Sequence, residues 1–207
     1  MDLIQSNINE TQQLLRVHKI NLALFKVDGT FDVIEGLVVN GEKESITKIP
    51  YNGSKRYCAV LVNHNDNGFL KYNMDKVSLN WFLHNMYRIE DFLTRMIIWH
   101  HINELVKDAR LRYDEYVENA LKIVFLEPEN LIFSFVFEML LIGGAYVPLQ
   151  VRQSFHKIIF SEIHKQLKVL HQIESNKFRI MILKEQLITF ASSEEDIDKL
   201  VKWKDNR

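Results

Sequence analysis

This chain of 207 residues is poor in the residue types that crosslink or interrupt a fold: it has one cysteine, three prolines and seven glycines. The single cysteine, Cys58, excludes an internal disulfide and therefore the class of small disulfide-stapled secreted domains. Because glycine and proline mark most turns and helix ends, their scarcity predicts long helices with few interruptions.

An excess of charge of one sign is also missing. Lysine and arginine together number 26 and aspartate and glutamate 27, which gives a formal net charge of -1. A nucleic-acid-binding domain usually carries a clear basic excess, so we expect no nucleic-acid partner. Hydrophobic residues make up 47% and charged residues 26%, a composition typical of a folded globular protein rather than a disordered tail.

No apolar run is long enough to suggest a membrane span. The best candidate, residues 131–147, is interrupted by Glu138, Gly143 and Gly144, whereas a span needs about 20 mostly apolar residues. We therefore predict a buried helix there and no membrane span. Residues 1–18 lack the apolar core of a signal peptide, so we expect an intracellular, and more specifically a cytoplasmic, location.

Up to about residue 75 the pattern favours short antiparallel strands. Asp28-Gly29 and Asn40-Gly41 are the residue pairs preferred in two-residue hairpin turns, and the segment after Asn40-Gly41 is expected to pair back on its predecessor. The apolar run 58–62 is typical of a strand covered on both faces. The expected strands cover residues 20–24, 31–39, 42–49, 58–62 and 69–72.

From residue 75 onward the apolar period becomes helical, with repeats three and four residues apart. The expected helices cover residues 75–87, 89–108, 113–126, 129–145, 148–173, 176–190 and 193–203. The cap and first-turn candidates are Asp75 or Ser78, Pro128, Pro148, and Ser192 or Ser193 with Glu195 or Asp196 downstream. The interval between Pro148 and residue 173 would hold the longest helix.

These patterns predict a mainly α chain in two domains. Residues 1–75 would form a small antiparallel, β-sandwich-like part with fewer strands than a complete sandwich. Residues 76–207 would form a solenoid-like stack of helical hairpins, because short loops make neighbouring helices pack antiparallel.

The histidines do not form a recognisable metal motif. A helical zinc-peptidase site needs His-Glu-x-x-His, and the chain lacks it. His100 and Glu104 share a helix face, as do His164 and His171 with Glu174, but each set is short of a complete ligand group. We predict no catalytic, cofactor-binding or metal-binding residues and no cofactor.

Other chemically suggestive residues have simpler structural explanations. Glu127 and Glu129 near a helix start suit the helix dipole better than acid–base catalysis. Gly143-Gly144 follows an apolar helix and lacks the lysine of a phosphate-binding loop. Cys58 is expected inside an apolar strand, where a thiol is inert. The tryptophans, expected to be packing anchors, are Trp81, Trp99 and Trp203.

Five segments, in order, resemble aminopeptidase N-like zinc metallopeptidases, in particular their bacterial, cold-active branch. Residues 89–99, Ile-Glu-Asp-Phe-Leu-Thr-Arg-Met-Ile-Ile-Trp, are similar to the family pattern I-x-D-x-L-x-R-x-x-x-W. The other resembling segments are residues 16–25, 60–75, 107–111 and 193–203. The resemblance implies the end of the family's β-sandwich domain followed by the start of its C-terminal helical domain.

The resemblance also implies a function without catalysis. The family's chemistry resides in a preceding domain with the His-Glu-x-x-His motif, and no position here matches it. We expect a truncated, non-catalytic relative that acts as a structural or accessory subunit, with other protein chains covering an open sheet edge and the end of the helical stack. The alternatives are a C-terminal fragment or split subunit that shapes the substrate cavity of an active zinc aminopeptidase, and a peptide-binding module.

Overall fold

The computed structural model describes residues 2–5, 16–39, 46–48, 56–170 and 177–205. Contacts within the chain group it into two compact units, Met1–Ile102 and Asn103–Arg207. The described residues form seven α-helices and a small three-stranded antiparallel sheet. The expectation of a mainly α chain that begins with antiparallel β-structure is therefore confirmed.

The strands are β1 (Asp2–Ile4), β2 (His18–Phe25), β3 (Phe31–Val39), β4 (Ile46–Lys48) and β5 (Ala59–Val62). The three-stranded sheet has the order β3-β2-β5, with both pairs antiparallel, and β1 pairs with β4 in a separate ladder. The predicted return of residues 42–49 onto β3 is wrong for the described part, since β4 pairs with β1. Residues 40–45 and 49–55 lie outside the described residues, including the Asn40-Gly41 turn.

The hairpin between β2 and β3 is confirmed, but its turn has three residues instead of two. The Lys26 amide donates to the Thr30 carbonyl oxygen over 2.8 Å, and the Gly29 amide donates to the Lys26 carbonyl oxygen over 3.1 Å. Within this turn only Gly29 has a positive φ, of 92°. A Cβ at Gly29 would lie 2.5 Å from the Arg88 carbonyl oxygen, so this position requires glycine.

The edge of the sheet at β5 is covered by side chains. Every residue of β5 is buried. The Val60 amide donates to Ser78 Oγ over 2.9 Å, and the Tyr72 hydroxyl donates to the Val60 carbonyl oxygen over 3.2 Å. Residues 69–72 belong to no strand, so the last predicted strand is wrong. The alternation there arises because Tyr72 and Met74 are buried while Phe69 is 95% exposed.

The helices are α1 (Lys76–Asn85), α2 (Phe92–Lys107), α3 (Tyr113–Ile123), α4 (Asn130–Gly144), α5 (Leu149–Leu170), α6 (Lys177–Phe190) and α7 (Glu194–Asp205). Of the six helices whose predicted start is described, five begin within one residue of it. The exception is α2, which begins three residues late because Asp91 accepts a hydrogen bond from the Thr94 amide over 2.7 Å. The predicted end of α5 at residue 173 and the Asn176 start of α6 lie outside the described residues.

Two predicted caps are confirmed. The Asp75 carboxylate accepts hydrogen bonds from the Val77 and Ser78 amides over 3.0 and 2.9 Å, which fixes the start of α1. At α7 the Asp196 amide donates to Ser193 Oγ over 3.3 Å, and the Asp196 carboxylate accepts from the Ser192 amide over 3.2 Å. This reciprocal arrangement closely follows a capping box.

Four helices of the second unit pack in two pairs. Helix α3 contacts α4, α5 contacts α6, and the pairs meet through α3 with α5 and α4 with α6. Helix α4 supplies the centre of this core with Phe133, Val136, Phe137 and Leu140, none of which is exposed. The helix predicted within the apolar run 131–147 is confirmed as α4, which ends at Gly144.

Candidate protein-binding surface

Helix α6 is apolar on two sides. Its buried side carries Ile182, Leu183, Leu187 and Phe190, each at most 4% exposed. Its other side carries Phe178, Met181 and Ile188, which are 56%, 47% and 66% exposed. We call Phe178, Met181, Glu185 and Ile188 the α6 outer face, since spacings of three, four and three residues place them on one side of a helix.

The α6 outer face is unusual for a surface helix. Isolated exposed apolar side chains are common in folded proteins. A cluster of exposed apolar side chains, however, marks an interaction surface. Exposed Lys177, Glu185 and Thr189 lie on the same side of α6, so the three exposed apolar side chains form a candidate interaction surface within a mixed face.

Arg179 fixes the orientation of α6. Its guanidinium donates to the carbonyl oxygens of Glu127 and Pro128 over 2.7 and 3.0 Å and to Asn130 Oδ1 over 3.2 Å. It also lies 4.5 Å from the centre of the Phe133 ring. Burial lowers the pKa of Arg179, while the nearby Glu127 opposes that change. Because this contact anchors α6 at its first turn, the outer face is held in a defined direction.

The histidine candidates do not assemble into a ligand group. No cluster of three or more His, Cys, Asp or Glu side chains suited to a metal occurs within residues 2–5, 16–39, 46–48, 56–170 and 177–205. His100 is exposed, and Glu104 accepts a hydrogen bond from Lys107 Nζ over 2.7 Å. His164 stacks on Phe160 with ring centres 6.3 Å apart. His171 and Glu174 lie outside the described residues.

The two carboxylates near the start of α4 have structural surroundings. Glu127 is 3% exposed, and its Oε1 accepts a hydrogen bond from the Glu129 amide over 3.0 Å. Glu129 itself is exposed and directly precedes the helix. Both residues therefore precede α4, with Glu129 as its N-cap residue and neither of them in its first turn.

Gly143 and Gly144 end α4 and allow a close approach of α3. A Cβ at Gly143 would lie 2.9 Å from Tyr113 Cε2. The Tyr113 hydroxyl donates to the Leu140 carbonyl oxygen over 2.6 Å. Burial raises the pKa of Tyr113 well above its usual value. Sequence reasoning missed this contact because nothing local to either segment indicates the other.

Cys58 is half-buried and directly precedes β5, so its predicted place inside the strand is wrong. Its amide donates to the Phe25 carbonyl oxygen over 2.7 Å. Trp99 is 2% exposed and Trp81 contacts Phe25 with ring centres 5.7 Å apart, which confirms both as packing residues. The side chain of Trp203 lies outside the described residues.

The turn after β5 is tightly held by Asn63, a feature that the sequence indicated only as a turn. Asn63, Asn65 and Asp66 all have positive φ values, between 51° and 67°. The fully buried Asn63 side chain accepts from the Gly68 amide over 2.8 Å and donates to the Gly68 carbonyl oxygen over 2.7 Å. Asparagine tolerates this left-handed conformation better than other side chains do.

Comparisons with protein-family models and with curated proteins find no match for this chain. The resemblance to aminopeptidase N-like metallopeptidases therefore stays a prediction. In the part of the chain that the structure describes, none of the helices combines the length and the apolar character needed to cross a membrane.

Proposed function

We propose that the chain is a non-catalytic accessory subunit that binds another protein chain through the α6 outer face. One observation carries the proposal: α6 presents apolar side chains to the core and to the solvent, with Phe178 and Ile188 both more than half exposed. Exposed apolar side chains grouped on one side of a helix mark an interaction surface.

The arrangement of the second unit supports this proposal. Helices α3 and α4 form one pair and α5 and α6 the next, with α5 on α3 and α6 on α4. We propose that these pairs are two layers of a helical-hairpin stack. In such stacks the outer face of a terminal layer is normally polar, whereas three of the four side chains of the α6 outer face are apolar, which favours a covering partner.

The energy available from this face sets the size of the interface. Fully burying a Phe, Met or Ile side chain contributes about 1.5–3 kcal/mol, so burying the exposed half of each contributes on the order of 1 kcal/mol. Three such contributions do not offset the cost of association. We therefore expect the interface to extend beyond α6.

Two alternatives to this proposal remain. A split zinc aminopeptidase would have its metal ligands on another chain, and the present chain would shape the substrate cavity. A peptide-binding module would bind free peptides without hydrolysis. The split aminopeptidase differs from an accessory subunit in zinc content and in amino-terminal hydrolysis, whereas the peptide-binding module differs in binding free peptides.

The test is purification of the tagged full chain from its native cells, with partner identification by mass spectrometry. Wild type is compared with Phe178→Asp/Ile188→Asp and with the control Leu131→Asp/Leu149→Asp, which changes two equally exposed apolar side chains on α4 and α5. We expect one partner to be retained by wild type and the control and lost by the α6 variant.

Two results decide against the proposal. A monodisperse wild-type monomer without a partner contradicts it, as does a partner that the α6 variant retains. Zinc is measured in the same samples, together with hydrolysis of an amino-terminal substrate. A zinc-containing catalytic partner would replace the accessory role with the split-aminopeptidase role.

A further inference from the structure

The connection between α4 and α5 exposes a group of apolar side chains. We call residues 145–151 the α4–α5 tip. Tyr146 is 59%, Leu149 63% and Val151 41% exposed, and Ala145 and Pro148 are exposed beside them. The tip is a surface separate from the α6 outer face, so its occupant is a separate question.

The tip carries no charged side chain. Residues 139–151 contain no aspartate, glutamate, lysine, arginine or histidine, and Arg152 is the first charged residue after them. A cluster of exposed apolar side chains marks a contact with a protein or with a membrane. Because the tip offers no charge for pairing, the surface that fits it is apolar and needs no charge of its own.

The backbone of the tip forms its hydrogen bonds within the chain. The three amides from Ala145 to Val147 donate to carbonyl oxygens at the end of α4 over 2.9, 3.1 and 3.4 Å, and Pro148 has no amide. The Arg152 guanidinium donates to the carbonyl oxygens of Gly144 and Ala145 over 2.7 and 3.3 Å. A segment that enters lipid must satisfy its backbone internally, because no water is there to bind it. The tip meets this condition at these groups.

The size of the tip favours lipid over a protein surface. A protein interface of standard size uses about 20–30 residues on each side, whereas the tip ends at Arg152, whose guanidinium is bonded to the loop itself. Insertion into a bilayer has no such minimum, because its strength scales with the apolar area that is buried. Tyr146 adds an apolar ring with a polar hydroxyl, a combination that is enriched where membranes meet water.

We propose that the α4–α5 tip inserts into the surface of a neutral phospholipid bilayer. Tyr146, Leu149 and Val151 would enter the boundary between the head groups and the acyl chains, and Arg152 would stay at the level of the head groups. The contact is weak and reversible, since even a single myristoyl chain gives only marginal membrane binding.

The experiment mixes the full chain with vesicles of pure phosphatidylcholine, a neutral lipid, and follows flotation at low and at physiological salt. We expect a bound fraction that rises with lipid concentration and does not change with salt, because no charges pair across the contact. In Leu149→Trp, the added tryptophan should shift its emission to shorter wavelength when vesicles are added, compared with the wild-type background of three tryptophans.

Paired variants separate the tip from the other apolar surfaces. Tyr146→Asp/Leu149→Asp should lower the partition coefficient about tenfold or more. The control Phe178→Asp/Ile188→Asp adds the same two charges on the α6 outer face and should bind vesicles like wild type. All four side chains are more than half exposed, so both variants should fold.

Four results overturn the proposal. They are a wild-type chain that does not float with neutral vesicles, a tip variant that binds like wild type, a control that loses binding, and an unchanged emission of Leu149→Trp. Binding that requires anionic lipid and disappears at physiological salt would overturn it as well, because that pattern reports charge. Since the vesicles contain no protein, failure here leaves the accessory-subunit proposal standing and points to a protein as the occupant of the tip.

Discussion

The hydroxyl of Tyr113 lies 2.6 Å from the carbonyl oxygen of Leu140, to which it donates a hydrogen bond. The Tyr113 ring occupies the space that a side chain at Gly143 would need. This bond supplies a donor to a carbonyl group near the end of α4. It therefore stabilises the helix end, because a buried carbonyl group without a donor costs free energy. This contact joins α3 to α4 inside the second unit.

The first prediction concerns that hydrogen bond. Tyr113→Phe removes the donor and leaves the Leu140 carbonyl without it, which should lower the free energy of unfolding by about 1–3 kcal/mol. Chemical denaturation followed by circular dichroism measures the change. Tyr146→Phe, at a side chain 59% exposed, is the matched control and should change stability little.

The second prediction concerns the hairpin glycine. Gly29→Ala places a side chain at a φ of 92° and 2.5 Å from the backbone oxygen of Arg88. We expect a loss of about 2–4 kcal/mol in unfolding free energy, measured by denaturation.

Gly36→Ala is the comparison for the hairpin glycine. Its φ is also positive, at 65°, but the nearest atom to a Cβ there is Lys19 Cε at 3.0 Å. A flexible lysine end can move, so this variant should lose only about 1–2 kcal/mol. Equal losses for the two variants would show that the contact with Arg88 does not limit the turn.

The third prediction concerns the anchor of α6. Arg179→Lys keeps the charge but loses the planar fork that serves three acceptors. The free energy of unfolding should fall by about 2–3 kcal/mol, and amide hydrogen exchange should accelerate at the start of α4. Arg112→Lys, at a side chain 80% exposed, should cost less than about 1 kcal/mol. Unchanged exchange at α4 in Arg179→Lys would contradict the anchoring role.

The fourth prediction is a dependence of stability on pH. Burial lowers the pKa of His64, His156 and His164 below the usual 6.5, although Asp91 opposes the change at His64. In the unfolded chain these histidines therefore bind protons as the pH falls through about 6.5, whereas in the folded chain they bind protons only at lower pH. Stability is fully present above that pH and falls as the pH drops below it.

Denaturation curves at about pH 7.5 and about pH 5.5 measure this dependence, since the usual histidine value lies between them. Wild type should be less stable at the lower pH. His64→Gln and His156→Gln should each reduce the difference between the two conditions. A wild-type chain that is equally stable at both values would show that these histidines do not couple protonation to folding.

Local chemistry made most helix starts predictable from the sequence. Asp75 and Ser193 are short polar residues that directly precede an apolar helical period, a pattern that predicts a cap. Both accept hydrogen bonds from amides of the first turn and are confirmed as caps. The start of α2 was misplaced because Ile89 fits the apolar period yet precedes the Asp91 cap. Periodicity therefore located the helices, and hydrogen bonds set their ends.

Pairings between distant segments were less predictable. The pairing of β4 with β1 joins residues far apart in sequence. The β1 segment is too short to show the alternating pattern that predicts a strand. The apolar alternation at residues 69–72 comes from burial of Tyr72, whose hydroxyl bonds to Val60, rather than from a strand ladder. Alternation alone does not separate these cases.

The candidate binding surface could not be located from the sequence for a physical reason. Because α6 is apolar on both sides, its period does not tell which side packs inward. The guanidinium of Arg179 selects the orientation through contacts with Glu127 and Phe133, which lie about fifty residues earlier in the chain. That selection is a tertiary effect and becomes visible only in the folded unit.

The side chains that cover β5 also govern what the sheet can join. At the outer edge of β5 the Val60 amide donates to Ser78, and the Val60 carbonyl oxygen accepts from Tyr72. A strand from another molecule would have to break these bonds before it could add to that edge. Because cross-β growth needs two open edges on each molecule, this sheet is a poor unit for fibril extension.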